Sequence, residues 1–69
     1  MNIKPINRIK VVLVEKGKTS KWLAQELNKN ISTVSRWCTN SVQPSTEMLV
    51  EISKILEVDV RHLLNSTKN

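Results

Sequence analysis

Twenty residues in the first half of the chain, positions 19–38, read TSKWLAQELNKNISTVSRWC. They contain two short segments with apolar residues at helical spacing, one around Leu23 and Leu27 and one around Val34 and Trp37. About three residues separate the segments, and one of them is an asparagine, which tolerates the left-handed conformation that ends many helices. Two short helices joined by such a turn form the layout of a helix-turn-helix.

Caps and helix breakers on both sides of this stretch predict further short helices. Pro5 suits a first helical position because its missing N–H would have no helical partner there. Gly17 is the only glycine and is typical of a left-handed helix end. The fold class is therefore all-α and compact, with five helices predicted at 5–16, 19–27 with Thr19 as N-cap, 31–39 with Asn30 as N-cap, 46–56 with Ser45 as N-cap, and 60–64 with Asp59 as N-cap.

The apolar residues of these five segments supply the expected core, and those of the last segment also supply an apolar surface for self-association. Their spacing repeats every three or four residues, as it does on one face of a helix. Residues 66–69 follow the last segment and are expected to fray. The expected apolar positions are Ile6, Ile9, Val12, Leu13, Leu23, Ala24, Leu27, Val34, Trp37, Met48, Leu49, Ile52, Ile55, Leu56, Val60, Leu63 and Leu64.

The composition excludes several classes of protein. A chain of 69 residues with 39% hydrophobic residues has enough apolar side chains for one small core, so residues 1–69 are expected to form a single domain. One cysteine and one histidine can form neither an internal disulfide nor a Cys/His zinc site. No apolar run approaches the roughly 20 residues that span a bilayer, and the N-terminus does not resemble a signal peptide. We therefore expect a cytoplasmic protein without cofactor, metal or small-molecule ligand.

Positive charge is concentrated in the first half of the chain. Residues 1–36 carry eight Lys or Arg against two Glu, a net +6, whereas residues 37–69 have a net charge of −1. Such asymmetry favours binding of a polyanion to the first half. The alternative is a lysine-rich surface that serves only solubility.

The third predicted helix has two chemically different faces. Successive residues of an α-helix are about 100° apart around its axis, and this spacing assigns each residue to one face. No acidic residue occurs on the helix. Val34, Trp37 and Cys38 fall on one side with Ile31 at its edge, Ser32 and Arg36 fall opposite, and Thr33 and Ser35 lie on the flanks.

The polar face of this helix suits a DNA groove. Small hydroxyl side chains allow close approach to base edges, and arginine can donate two parallel hydrogen bonds to guanine. A helix without acids also avoids repulsion by phosphate. The alternative is an ordinary amphipathic surface helix with a solvated Arg36.

The residues Leu23, Ala24, Leu27, Asn28, Val34 and Trp37 resemble the helix-turn-helix of lambda-repressor-like regulators of the Xre or Cro type. Ala24, Asn28 and Val34 stand where that family has alanine, glycine and an aliphatic residue. The resemblance continues through Gln43-Pro44-Ser45 and the last two predicted helices, so it covers residues 6–64, with the motif itself at 19–38. It implies a five-helix DNA-binding domain.

The family resemblance implies a role for each matched position. The start of the third helix would face bases in the major groove, and the residues around it would meet phosphates of double-stranded DNA. The implied base contacts are Ile31, Ser32, Thr33, Ser35 and Arg36, and the implied phosphate contacts are Ser20, Lys21, Lys29, Asn40 and Ser41. The family usually binds as a homodimer, and the apolar last helix favours self-association.

Three positions depart from the family pattern. Asn28 replaces the usual glycine of the turn. Trp22 stands where glutamate is common, so the reciprocal capping box with Thr19 is absent. Ile31 replaces a polar base reader, and it either packs inward or contacts a thymine methyl group.

Several other residues have a structural and a functional interpretation. Trp37 is expected in the core rather than stacked on a base, and Trp22 is expected to be partly buried against the first helix. Cys38 is interpreted as a buried thiol rather than a nucleophile. His62 has no acidic partner at a spacing suited to catalysis, so we expect it on the surface or at a subunit interface. The carboxylates Glu47 and Glu51 are interpreted as a solvated face.

Three classes of function follow from the sequence. The first is a sequence-specific regulator of transcription, expected to be a repressor. The second is an antitoxin-like or accessory module whose main partner is another protein, as in a toxin–antitoxin or mobile-element system. An enzyme is not expected, because the sequence has no glycine-rich phosphate loop, no metal-ligand set and no nucleophile with an adjacent base.

Overall fold

The computed structural model describes residues 5–65. The first three helices are α1 (Ile9–Glu15), α2 (Ser20–Leu27) and α3 (Ile31–Cys38). They are followed by α4 (Thr46–Leu56) and a short 3-10 helix (Val60–Leu63). The all-α class is confirmed. The fifth predicted helix is a 3-10 helix rather than an α-helix, and the predicted fraying of residues 66–69 lies outside the described residues.

The first helix begins later than the sequence predicts because the residues before it pair with residues 63–65. Arg8 N–H donates to the Leu63 carbonyl over 2.7 Å, and Asn65 N–H donates to the Ile6 carbonyl over 2.8 Å. An antiparallel bridge joins Asn7 and Leu64. This pairing holds the segment extended, and it leaves Ile6 55% and Leu64 40% exposed. Ile6 was predicted to belong to the apolar stripe of the first helix, and this was wrong, because it lies outside α1.

In four of the five helices the N-cap residue itself caps the start with a side-chain oxygen, and all four of these N-caps were predicted from the sequence. Each oxygen accepts a backbone N–H of the first helical turn, where no carbonyl partner exists. The donor–acceptor distances are 3.0 Å from Trp22 N to Thr19 Oγ1, 2.9 Å from Ser32 N to Asn30 Oδ1, 3.1 Å from Met48 N to Ser45 Oγ and 2.8 Å from Arg61 N to Asp59 Oδ1.

The four α-helices all end with the same left-handed turn. After α1, Gly17 N–H donates to the Val14 carbonyl over 3.0 Å and Lys18 N–H to the Leu13 carbonyl over 2.8 Å. The same pair of bonds closes the other three helices. The left-handed residues are Gly17 (φ 68°), Asn28 (φ 54°), Asn40 (φ 62°) and Glu57 (φ 58°), of which the sequence predicted the first two.

The core lies between the helices. Helix α3 packs on α1 and α2, and α4 packs on α2 and on the 3-10 helix. No helix among residues 5–65 is long and apolar enough to cross a membrane. The buried hydrophobic residues are Ile9, Val12, Leu13, Leu23, Ala24, Val34, Trp37, Ile52, Leu56 and Leu63, and Trp22, Leu27, Cys38, Met48, Leu49, Ile55 and Val58 pack partly buried around them.

Candidate functional site

The turn between α2 and α3 is short and held by local hydrogen bonds. Asn28 ends α2 in the left-handed region, with φ 54° and ψ 44°. Asn30 Oδ1 then accepts both the backbone N–H and the hydroxyl of Ser32, over 2.9 Å and 2.8 Å. The turn therefore fixes the direction in which α3 leaves α2, as the sequence predicted for a helix-turn-helix.

Burial confirms the predicted orientation of α3. Val34 is fully buried and Trp37 is 6% exposed, so both belong to the core. The opposite side of the helix is exposed and carries hydroxyls, a guanidinium and no carboxylate. The exposed polar residues of α3 are Ser32, Thr33, Ser35 and Arg36.

Ile31 does not pack into the core. It is the first residue of α3, and 49% of its surface is exposed. The inward-packing alternative is therefore wrong. An exposed aliphatic side chain at the start of this helix is available for an apolar contact with a partner.

The residues expected to meet phosphates surround α3 but differ in their exposure. Lys21 and Lys29 are exposed, and Ser20 is half-buried. Ser41 is exposed, with its Oγ 2.8 Å from Thr39 Oγ1. Within the described part of the chain, neither of these two lysines forms an ion pair, and the same holds for Arg36.

Asn40 differs from the other candidate phosphate contacts because its side chain is engaged inside the protein. Its Oδ1 accepts the backbone N–H groups of Ile6 and Asn7 over 2.9 Å and 2.8 Å. Asn7 is 3% exposed and was not singled out from the sequence. Its partners Trp37, Asn40 and Gln43 lie thirty or more positions away, so no local pattern could have indicated them.

Trp22 is half-buried, as the sequence predicted, and it borders a surface cavity of about 270 Å³. Lys18 Nζ lies 4.8 Å from the centre of the indole ring, within the range of a cation–π contact. The residues that line the cavity come from the segment after α1, from α2 and from the end of α4. They are Lys16, Lys18, Trp22, Ile55, Leu56 and Glu57.

Cys38 is a half-buried free thiol at the end of α3. Burial raises the pKa of this thiol, and the charge of Lys10 opposes that effect. The thiolate is the nucleophilic form of cysteine, so a raised pKa suits a structural thiol and not a nucleophile.

His62 has an acidic partner that the sequence did not reveal. Its Nε2 lies 3.4 Å from Glu15 Oε1, and Arg8 Nη1 donates to its carbonyl over 2.9 Å. The three side chains join α1 to the 3-10 helix on an exposed surface. Among the residues that the structure describes, no group of three or more His, Cys, Asp or Glu could hold a metal ion.

Comparison with known proteins agrees with this geometry. A family model described as helix-turn-helix matches residues 9–63. A solved structure, that of a "putative DNA-binding protein" from Bacteroides fragilis, is 53% identical and superposes with a TM-score of 0.86. The match covers 87% of this chain and 97% of that chain. No protein with a curated description shows a significant match.

Proposed function

Because this chain belongs to the lambda-repressor-like helix-turn-helix family, we propose that it is a DNA-binding regulator that inserts α3 into the major groove of a specific duplex. The observation that carries the proposal is the exposed polar side of α3, which lacks carboxylates while Val34 and Trp37 are buried behind it. The relative from Bacteroides fragilis supports DNA as the partner. A major groove is wide enough to admit such a helix.

The exposed residues of α3 divide into two kinds of base contact. Arg36 can donate two hydrogen bonds to guanine O6 and N7, and the hydroxyls of Ser32, Thr33 and Ser35 can each donate to or accept from a base edge. Ile31 supplies the apolar contact that a thymine methyl group requires. These five residues are the proposed readers of sequence.

The residues around α3 supply contacts to the phosphate backbone. The exposed ammonium groups of Lys21 and Lys29 are the proposed charge partners, and the hydroxyls of Ser20 and Ser41 are the proposed hydrogen-bond donors. Such contacts fix the register of the protein on the duplex but do not read sequence.

The proposed regulator is a repressor that acts as a symmetric homodimer. Two copies would place their α3 helices one turn of DNA apart, about 34 Å, and read a palindrome. Ile6, which precedes the bridged residue Asn7, and Leu64, the other bridged residue, are exposed apolar side chains that support a contact between copies.

Selection from a random duplex library at two salt concentrations tests this function. We expect enrichment of one palindromic sequence that persists at the higher salt, because base contacts depend less on salt than phosphate contacts do. Recovery of unrelated sequences, together with equal competition by heparin and by every duplex, would contradict the proposal.

A further inference from the structure

A buried carboxamide joins the start of α1 to the end of α3. Asn7 lies just before α1 and is 3% exposed. Its Nδ2 donates to the Trp37 carbonyl over 2.9 Å and to Gln43 Oε1 over 2.8 Å, while its Oδ1 accepts the N–H of Ile9 over 3.0 Å. One side chain therefore joins the first residue of α1 to two residues that lie 30 and 36 positions after Asn7 in the chain.

A second carboxamide completes the arrangement from the other side. Asn40 Oδ1 accepts the N–H groups of Ile6 and Asn7, and it also accepts Gln43 Nε2 over 3.1 Å. Asn40 Nδ2 donates to the Asn7 carbonyl over 3.2 Å. We call Asn7, Asn40 and Gln43 the carboxamide cluster.

The carboxamide cluster fixes the part of α3 that carries Arg36. The apolar contacts of Val34 and Trp37 hold α3 against the core, but apolar contacts are not directional. Hydrogen bonds to the Trp37 carbonyl are directional, and they fix how far α3 is rotated and shifted relative to α1. A buried polar group without a partner destabilises the folded state. The carboxamide cluster therefore favours the one arrangement in which its members are paired.

The geometry of Asn40 disfavours its implied role as a phosphate contact. Its side-chain oxygen is an acceptor, as phosphate oxygens are, and already receives three donors. Its amide nitrogen points to the Asn7 carbonyl. The amide nitrogen has a second N–H that these bonds do not use, but rotation of the carboxamide toward a phosphate would break the bonds to Ile6, Asn7 and Gln43.

We propose that Asn7, Asn40 and Gln43 are positioning residues that set the selectivity of α3 for its duplex without contacting DNA. The inference rests on the proposed function, because selectivity has meaning only if α3 reads a sequence. It replaces the phosphate contact at Asn40 with an internal role and adds two residues that the sequence did not single out as functional.

The test compares Asn40→Gly with Asn28→Gly. Glycine keeps the left-handed backbone at both positions, so only the side chain is lost. Asn28 occupies the same place at the end of α2, and its side chain is exposed. For each variant, the affinities for the enriched duplex and for an unrelated duplex are measured over a series of salt concentrations.

We expect Asn40→Gly to weaken binding of the enriched duplex about 3- to 30-fold, the range for residues that act without touching a ligand. Binding of the unrelated duplex and the slope of log K against log salt should not change. Asn28→Gly should retain the ratio of the two affinities. In the free protein, hydrogen exchange in the last turn of α3 should accelerate for Asn40→Gly and not for Asn28→Gly.

Three outcomes would overturn the inference. One is an equal loss on both duplexes with a salt slope reduced by about one, which would make Asn40 a phosphate contact. The second is a ratio of affinities that Asn40→Gly leaves unchanged while the salt slope also stays the same. The third is a wild-type chain that prefers no duplex, which would overturn the proposed function as well, whereas the first two leave that function intact.

A second variant keeps the test decisive if Asn40→Gly does not unfold cooperatively. Gln43→Ala removes another half-buried member of the carboxamide cluster and leaves the left-handed residue Asn40 in place. We expect a smaller loss of selectivity in the same direction, again without a change in the salt slope. An unchanged ratio of affinities for this variant would overturn the inference.

Discussion

Arg36 is the residue whose removal should change selectivity most. Arg36→Ala is expected to cost about 1–3 kcal/mol of binding free energy and to relax the preference at one base pair, because a bidentate contact to guanine is lost. Competition binding with single-base variants of the enriched duplex measures both effects. Arg61→Ala is the matched control, since Arg61 is 87% exposed but pairs with Asp59 outside the helix-turn-helix. An equal loss on every duplex would contradict a base contact.

Lys21 should contribute to affinity but not to selectivity. Lys21→Ala is expected to weaken all duplexes alike and to reduce the slope of log K against log salt by about one, because one fewer phosphate is neutralised. Lys54→Ala removes an exposed lysine from the last turn of α4 and serves as the control. A slope that Lys21→Ala leaves unchanged would show that this ammonium does not meet a phosphate.

At the scale of single residues, sequence predicted what depends on local spacing. The outward position of Arg36 and the burial of Trp37 follow from the periodicity of one eight-residue helix. The contact between His62 and Glu15 joins residues 47 positions apart, and the bonds of Asn7 to Asn40 and Gln43 join residues more than thirty apart. Their partners are set by the packed fold, so a pattern along the chain carried no signal for them.

At the scale of the elements, the end of α1 offers a direct test of the left-handed turns. Gly17→Ala is expected to lower the free energy of unfolding by about 1 kcal/mol, because an L-residue is strained at φ 68°. A Cβ at this position would meet no atom within 4 Å, so no steric clash contributes. Gly17→Asn should cost less. Denaturant unfolding measures the free energy of unfolding of both variants. Equal losses would mean that the left-handed backbone conformation of residue 17 is not the cause.

The helix ends show which boundaries a sequence can predict. Thr19, Asn30, Ser45 and Asp59 each cap a backbone N–H two or three residues ahead, so their roles follow from local sequence. The start of α1 could not be predicted in this way. It depends on the pairing of residues 6–8 with residues 63–65, which are brought together only by the packed fold.

At the scale of the whole molecule, stability should depend on pH through Asp59. Hydrogen bonds from the side chain and N–H of Arg61 hold the pKa of Asp59 below its ordinary value of 3.8. A carboxylate with a depressed pKa stabilises the folded state above the unfolded pKa, and this contribution is lost as pH falls through the folded pKa. The stability advantage of the wild type over Asp59→Asn should therefore be constant above about pH 5 and should shrink in acid.

Thermal unfolding across a pH series measures this difference. The advantage should be small and should diminish in high salt, because both groups are exposed. An advantage that grows as the pH falls would contradict the assigned cause.

The proposed base contacts all lie on α3, within the positively charged half of the chain. Positive charge prevails in residues 1–36, and the exposed side of α3 belongs to that half of the chain. The cavity beside Trp22 is lined by the segment after α1, by Trp22 of α2 and by the end of α4, and by no residue of α3. A partner that binds α3 and a partner that binds the cavity would therefore affect different residues.

Backbone amide shifts, recorded while the enriched duplex is added to isotope-labelled protein, test the central claim most directly. We predict that the largest changes occur from Ile31 to Arg36 and at Lys21, with little change at Ile55 and Glu57. Largest changes around the cavity of Trp22, or equal changes with an unrelated duplex, would contradict the account.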